Sequence, residues 1–145
     1  MERSLSIKCP TVPYQLVGAK KVQQMLTIPG VLEQYVDVYT ADLLRESFTG
    51  LYPLDSSEEG QRAYKMALDE PERFVMKPQR EGGGNNIYGN DIPSILQKLS
   101  PEERNAYILM ELIRSPPLQN LMVREGELIE GDVASELGIY GIYLK

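Results

Sequence analysis

The chain has 145 residues, 42% of them apolar and 25% charged, which is the balance of a globular domain rather than a disordered segment. Its 21 acidic and 15 basic residues leave a net charge of −6, so there is no electrostatic case for nucleic acid or an anionic membrane as a partner. Histidine is absent, which excludes imidazole acid/base catalysis and histidine metal ligation within the chain, and a lone Cys9 excludes an intrachain disulfide and a thiolate cluster. Chemistry must therefore rest on lysine, arginine and carboxylates. Cys9, followed by Pro10 and without an imidazole to activate it, reads as a buried structural thiol rather than a nucleophile. The start Met1-Glu2-Arg3-Ser4 has no long apolar stretch, and no segment has membrane-spanning length, so a soluble protein in a reducing, cytoplasmic setting is expected.

In chain order, residues 4–9 read as a short strand closed by Pro10. From about Gly18 a helix follows with Val22, Met25 and Leu26 on one face, stopped by Pro29-Gly30. A second helix is expected over residues 40–48, with Leu43, Leu44 and Phe48 inward and Gly50 beyond its end. Ser56 and Glu59 have capping-box spacing and open a third helix over Ala63, Tyr64, Ala67 and Leu68, up to Pro71. A strand over residues 74–77 comes next, and after a glycine-rich loop Ile92, Ile95, Leu96 and Leu99 form the apolar stripe of another helix. Ser100-Pro101-Glu102-Glu103 supplies an N-cap, a first-turn proline and a capping glutamate, and Tyr107-Ile108-Leu109-Met110 reads as a buried strand. Beyond Pro116-Pro117 three strands are expected, over residues 118–124, 127–137 and 139–144. The fold class is α+β, mixed helix and sheet.

The decapeptide Lys77-Pro78-Gln79-Arg80-Glu81-Gly82-Gly83-Gly84-Asn85-Asn86 carries the most chemistry. Three consecutive glycines let several backbone N–H groups turn toward one anion, and two cations and a carboxylate precede them at the end of a strand. A flexible connector uses glycine in the same way, so both readings stand on the glycines alone. The chain holds no Gly-x-x-x-x-Gly-Lys-Ser/Thr and no Gly-x-Gly-x-x-Gly opening a helix, so P-loop and Rossmann sites are excluded. A lysine ending a strand, a glycine loop, a second apolar strand ending Met110-Glu111-Leu112-Ile113 and an upstream helix opening Gly18-Ala19-Lys20-Lys21 together have the layout of an ATP-grasp site. In that layout an edge strand offers backbone groups to adenine.

Five segments, Ile7-Lys8-Cys9-Pro10, Gly18 through Gln24, Phe74 through Asn86, Tyr107 through Glu111 and Ser135-Glu136-Leu137-Gly138, resemble eukaryotic-type glutathione synthetase in order and spacing, over essentially the whole chain. That family joins γ-glutamylcysteine to glycine at the expense of ATP, through an acyl phosphate, as a homodimer with magnesium. The resemblance implies that Lys20 and Lys77 contact ATP phosphates, that Glu81 coordinates Mg2+, and that Gly82, Gly83 and Gly84 cover the triphosphate. It also places Asn85, Asn86 and Tyr88 on the nucleotide-facing loop, Met110, Glu111, Leu112 and Ile113 along adenine through their backbone, and Glu136 at a further nucleotide contact.

By the same resemblance, residues 1–50 end a substrate-domain region and supply ATP-core helices. Residues 51–113 form a lid-like unit with the glycine loop, and residues 114–145 are a strand-rich part of a truncated ATP-grasp core. Family members are several times longer, and other magnesium ligands, peptide-substrate residues and basic residues beyond Ser135-Glu136-Leu137-Gly138 have no counterpart here. The expectation is a fragment of an active ligase. An alternative is a truncated, inactive product that serves as a dimerisation or regulatory partner; a different ATP-grasp ligase is disfavoured by the decapeptide. Taken residue by residue without the resemblance, Lys20 reads first as a solvated surface lysine, Glu81 as a partner of Arg80 or Lys77, and Glu111 and Glu136 as edge charges.

Overall fold

The structure is a computed structural model that describes residues 3–80 and 83–141. The chain divides into two compact units, Met1–Leu112 and Ile113–Lys145.

The first unit opens without the expected strand: residues 4–9 form turns and bends in which Leu5 and Ile7 are fully exposed and Cys9 is exposed rather than buried. A strand exists only against a neighbour, and no described strand pairs with this segment. Helix α1 (Val12–Val17), with proline in its first turn, was not legible in the sequence, whereas α2 (Lys20–Leu26) stands where the apolar spacing put it. Helix α3 (Val38–Arg45) starts two residues before Thr40 because Asp37 caps it: its carboxylate accepts from the Thr40 N–H at 3.0 Å and from the Thr40 hydroxyl at 2.7 Å. Its buried residue is Ala41; the expected inward side chains Leu43, Leu44 and Phe48 are exposed. The helix packs by this narrow side on the one-turn 3-10 helix Leu32–Gln34, where Arg45 Nη1 meets Glu33 Oε1 at 2.6 Å.

Strand β1 (Leu51–Pro53) leads to helix α4 (Glu58–Asp69), capped by Ser57 rather than Ser56, whose hydroxyl accepts from the Gly60 N–H at 3.0 Å. Gly60, Ala63 and Ala67 give α4 a buried stripe of small residues. Strand β2 (Phe74–Pro78), strand β3 (Ile87–Tyr88), helix α5 (Asp91–Leu96), helix α6 (Pro101–Arg104) and strand β4 (Tyr107–Glu111) complete the unit. The capping box of α6 forms as expected: Ser100 Oγ accepts from the Glu103 N–H at 3.2 Å and Glu103 Oε2 from the Ser100 N–H at 2.8 Å. The Arg104 guanidinium then lies 4.6 Å over the Tyr64 ring of α4.

The four strands run in the order β1-β4-β2-β3 with every neighbouring pair antiparallel. Alternation along the ladder sorts the side chains. Phe74 and Met76 of β2 and Leu109 of β4 join Ala63, Ala67, Ile92 and Leu96 in the core under α4 and α5. Each of the large apolar side chains buried there contributes about 1.5–3 kcal/mol of transfer free energy. Val75, Lys77, Ile108 and Met110 face the other way, on the side where α2 contacts β1 and β4.

The second unit is a hairpin, β5 (Leu118–Arg124) and β6 (Glu127–Val133), whose register closes on Arg124 opposite Glu127. Its two turn residues, Glu125 at φ 55° and Gly126 at φ 85°, are both left-handed, as a two-residue hairpin turn matching the strand twist requires. β6 ends at Val133 rather than continuing to residue 137, and residues 139–141 form no strand, again with no described neighbour to pair with; residues 142–145 lie outside the described residues. No helix among the described residues is long and apolar enough to cross a membrane.

Candidate functional site

The site begins where β2 runs out. Lys77 is half-buried near the strand's end, and beyond Pro78 the ladder extends by one bond, from the Gln79 N–H to the Ala106 carbonyl at 3.0 Å. The Gln79 side chain points to α2 instead, its Oε1 accepting from the Lys21 N–H at 3.0 Å. Lys21 also approaches β1's exit, with Nζ 3.8 Å from Asp55 Oδ2. Asp55 accepts from the Ser57 hydroxyl, and that bond first, then the Ser57 N–H and Lys21, holds its carboxyl below the ordinary value against the opposing effect of burial.

Three cavities open around this crossing. One of about 390 Å³ is lined by Gln15, Leu16, Gly18, Ala19 and Lys20 on one side and Gln79 and Arg80 on the other. A second of about 270 Å³ continues from Gln79 and Arg80 to Asn85 and Tyr107, and a third of about 470 Å³ lies between Lys21, Asp55, Gln79 and Tyr107. Lys20 and Arg80 thus put two cations on one cavity, and Arg80 carries positive charge into the next. The arrangement suits an extended anion, held by charge neutralisation and position without imidazole.

The other candidate residues fall as follows. Lys77 lines none of these three cavities and sits two residues before Gln79 on the sheet face shared with Met110. Gly83, Gly84 and Asn85 form a single 3-10 turn, and Gly84 has open space where a side chain would stand. The Asn86 amide lies 3.2 Å from the hydroxyl of the exposed Tyr88. Glu81 and Gly82 lie outside the described residues.

β4 is an interior strand, not the edge strand the layout predicted, because β1 and β2 flank it. The Glu111 N–H donates to the Gly50 carbonyl at 2.9 Å and the Leu112 N–H to the Arg73 carbonyl at 2.8 Å, so both donors are committed to the sheet. The Glu111 side chain is committed too: Oε1 accepts from the Tyr52 hydroxyl at 2.9 Å and lies 3.7 Å from Arg73 Nη2. Burial, and then this carboxylate, push the Tyr52 phenol above its ordinary value. Ile113 and Glu136, both exposed, belong to the second unit.

No group of three carboxylate, thiol or imidazole residues that could hold a metal ion occurs among the described residues. Asp55, the acid that lines a cavity here, is already paired with Lys21 and Ser57, so the described donors do not by themselves fit a magnesium ion.

Residues 5–145 match the family model for the ATP-binding domain of eukaryotic glutathione synthase. The chain belongs to this glutathione synthase family. Among its relatives, the glutathione synthetases of Xenopus laevis and Homo sapiens are each 48% identical over 149 residues, covering 100% of this chain and 31% of their own length. The chloroplastic glutathione synthetase of Arabidopsis thaliana is 48% identical over 151 residues, 27% of its length. A glutathione synthetase-like effector from Globodera pallida, solved in the apo form, superposes with a TM-score of 0.59 at 26% identity, over 87% of this chain and 26% of its own. The chain therefore spans about 31% of the length of the first two relatives.

Within this glutathione synthase ATP-binding domain, Gln79 is the residue that the sequence did not single out. Arg80 stood in the decapeptide as one of its two cations, and the structure puts it on two of the cavities. A signal for Gln79 was present at a distance: Ala19, at the N-cap of α2, has no side-chain acceptor, so a first-turn N–H needed one from elsewhere.

Proposed function

We propose that the first unit forms part of the ATP site of a ligase that, as a full-length protein, joins γ-glutamylcysteine to glycine. The observation that carries this reading is the meeting of Lys20 and Arg80 around one cavity at the exit of β2, in a chain that matches an ATP-binding family model over residues 5–145. Lys20, Lys77 and Arg80 neutralise the triphosphate, and the glycines 82–84 with Asn85, Asn86 and Tyr88 cover it. Met110 offers an apolar surface to adenine, and the strand end Glu111, Leu112 and Ile113 lines it through backbone groups other than the Glu111 and Leu112 N–H, which are bonded in the sheet. Glu136 is a further nucleotide contact in this reading, and Glu81 the carboxylate that takes Mg2+. The reading extends to a cytoplasmic homodimer.

The reaction asks for position and charge. A carboxylate oxygen of γ-glutamylcysteine attacks the γ-phosphorus of ATP, ADP leaves, and an acyl phosphate forms. The glycine amine then attacks the acyl carbon, inorganic phosphate leaves, and the amine proton is lost to solvent. Lysines and arginine stabilise the charge that builds on the transferring phosphoryl group. A glycine loop closing over the site keeps water from the acyl phosphate.

In the full-length protein Lys77→Ala is expected to cut kcat by roughly 10²-fold, the scale of losing one charge-stabilising donor, with little change in melting temperature. Steady-state kinetics beside a thermal melt decide it. Unchanged turnover with a lowered melting temperature would show the lysine to be structural.

A further inference from the structure

Helix α2 begins without a cap of its own. Ala19 stands where serine, threonine, aspartate or asparagine would accept a first-turn N–H, and it makes no side-chain cap bond. The Lys21 N–H is taken instead by Gln79 Oε1 at 3.0 Å, from 58 residues away in sequence. Gln79 is itself anchored, its own N–H donating to Ala106 at the entrance of β4. It lines all three cavities around the loop, and Lys20, the neighbour of the capped residue, lines the first of them with it.

A local serine cap would stabilise α2 as well as this bond does, but it would leave the helix free to shift against the sheet. The carboxamide does both jobs at once, because its backbone continues β2 while its oxygen ends in α2. Lys77 is two residues upstream on that strand and Lys20 one residue upstream on that helix. Any slip between Gln79 and Lys21 is therefore a slip between the two lysines, and a triphosphate that touches both would register it.

We infer that Gln79 is a positioning residue for ATP, whose carboxamide acts through the first turn of α2 to hold Lys20 at a fixed separation from Lys77. The inference rests on the proposed ATP-binding role of Lys20 and Lys77.

A double-mutant cycle in the full-length protein tests it, with ATP affinity measured by calorimetry and stability by thermal melt for wild type, Gln79→Met, Lys20→Ala and the double variant. Gln79→Met is expected to weaken ATP binding roughly three- to tenfold, the range of one net hydrogen bond, and this loss should vanish in the Lys20→Ala background. An equal loss in both backgrounds, or unchanged affinity with a lowered melting temperature, would reduce Gln79 to a helix cap and overturn the inference. Should Gln79→Met fail to fold, Gln79→Asn, polar but one methylene too short to reach Lys21, carries the same cycle with the same expectation. If Lys20→Ala alone leaves ATP affinity unchanged, the reading of the site fails first, whatever Gln79 does.

Discussion

Gly60 shows how a residue's local preference is reversed by what stands beside it. Alanine in a helix ordinarily gains about 1 kcal/mol over glycine. Here a Cβ on Gly60 would run into the backbone carbonyl of Asp55 and come within 2.7 Å of its Oδ1, and backbone cannot step aside as a side-chain tip can. Gly60→Ala should therefore destabilise the first unit by about 1–3 kcal/mol, the usual cost of overpacking. Urea unfolding checks this, and a gain in stability would mean that the 55–57 turn yields. The same turn presents Asp55 to Lys21, so the variant also reports on how rigidly the entrance to the site is held. At this scale the sequence was only partly legible. Lys20 and Lys77 stood out through their place in a family pattern, whereas Gln79 did not, because a glutamine bonded across 58 residues leaves no local spacing to read.

Among the elements, the legible ones carried their own boundary chemistry. The capping box at Ser100 and Glu103 and the turn at Glu125 and Gly126 act within a few residues, so their spacing survives in the sequence. The three-residue β1, with proline at its end, has too few alternations to declare itself and exists because β4 pairs with it. The apolar residues in and after α3 were visible, but Leu43, Leu44 and Phe48 remain exposed, and the helix is tied at its last residue by Arg45 to Glu33. That pair gives a test by acid. The hydrogen bond from Arg45 first, then bonding to backbone, holds Glu33 down to about 2 from the ordinary 4.5. A lowered folded-state value stabilises above about pH 4.5, and the contribution is lost as pH falls through about 2. The melting-temperature gap between wild type and Glu33→Gln should accordingly be widest near neutrality and close toward pH 2. Parallel melting curves across that window would refute the pairing.

Over the whole molecule, the mixed helix-and-sheet class was readable from alternating segment types, but the sheet order was not, since strand neighbours are chosen by partners far along the chain. The two units also differ in what they bury. Phe74, Met76 and Leu109 are fully enclosed, whereas Leu118, Leu121, Val123 and Leu128 of the hairpin are exposed. A two-stranded hairpin is marginal in water without a face to pack on. Hydrogen exchange on the 145-residue chain should show slow amides in β2 and β4 and fast ones throughout β5 and β6. Hairpin amides as slow as those of residues 74–76 would contradict this.

The order of the first sheet has a consequence for how the domain is born. β4 is the last of its four strands to be synthesised, yet it lies between β1 and β2, which do not pair with each other. Until residue 111 has left the ribosome, β1 has no neighbour in its sheet and β2 has only the two residues of β3. The sheet is therefore completed late, by insertion of a central strand rather than by growth from an edge. A nascent chain stalled before residue 107 would hold β1, β2 and β3 without the strand that joins β1 to β2.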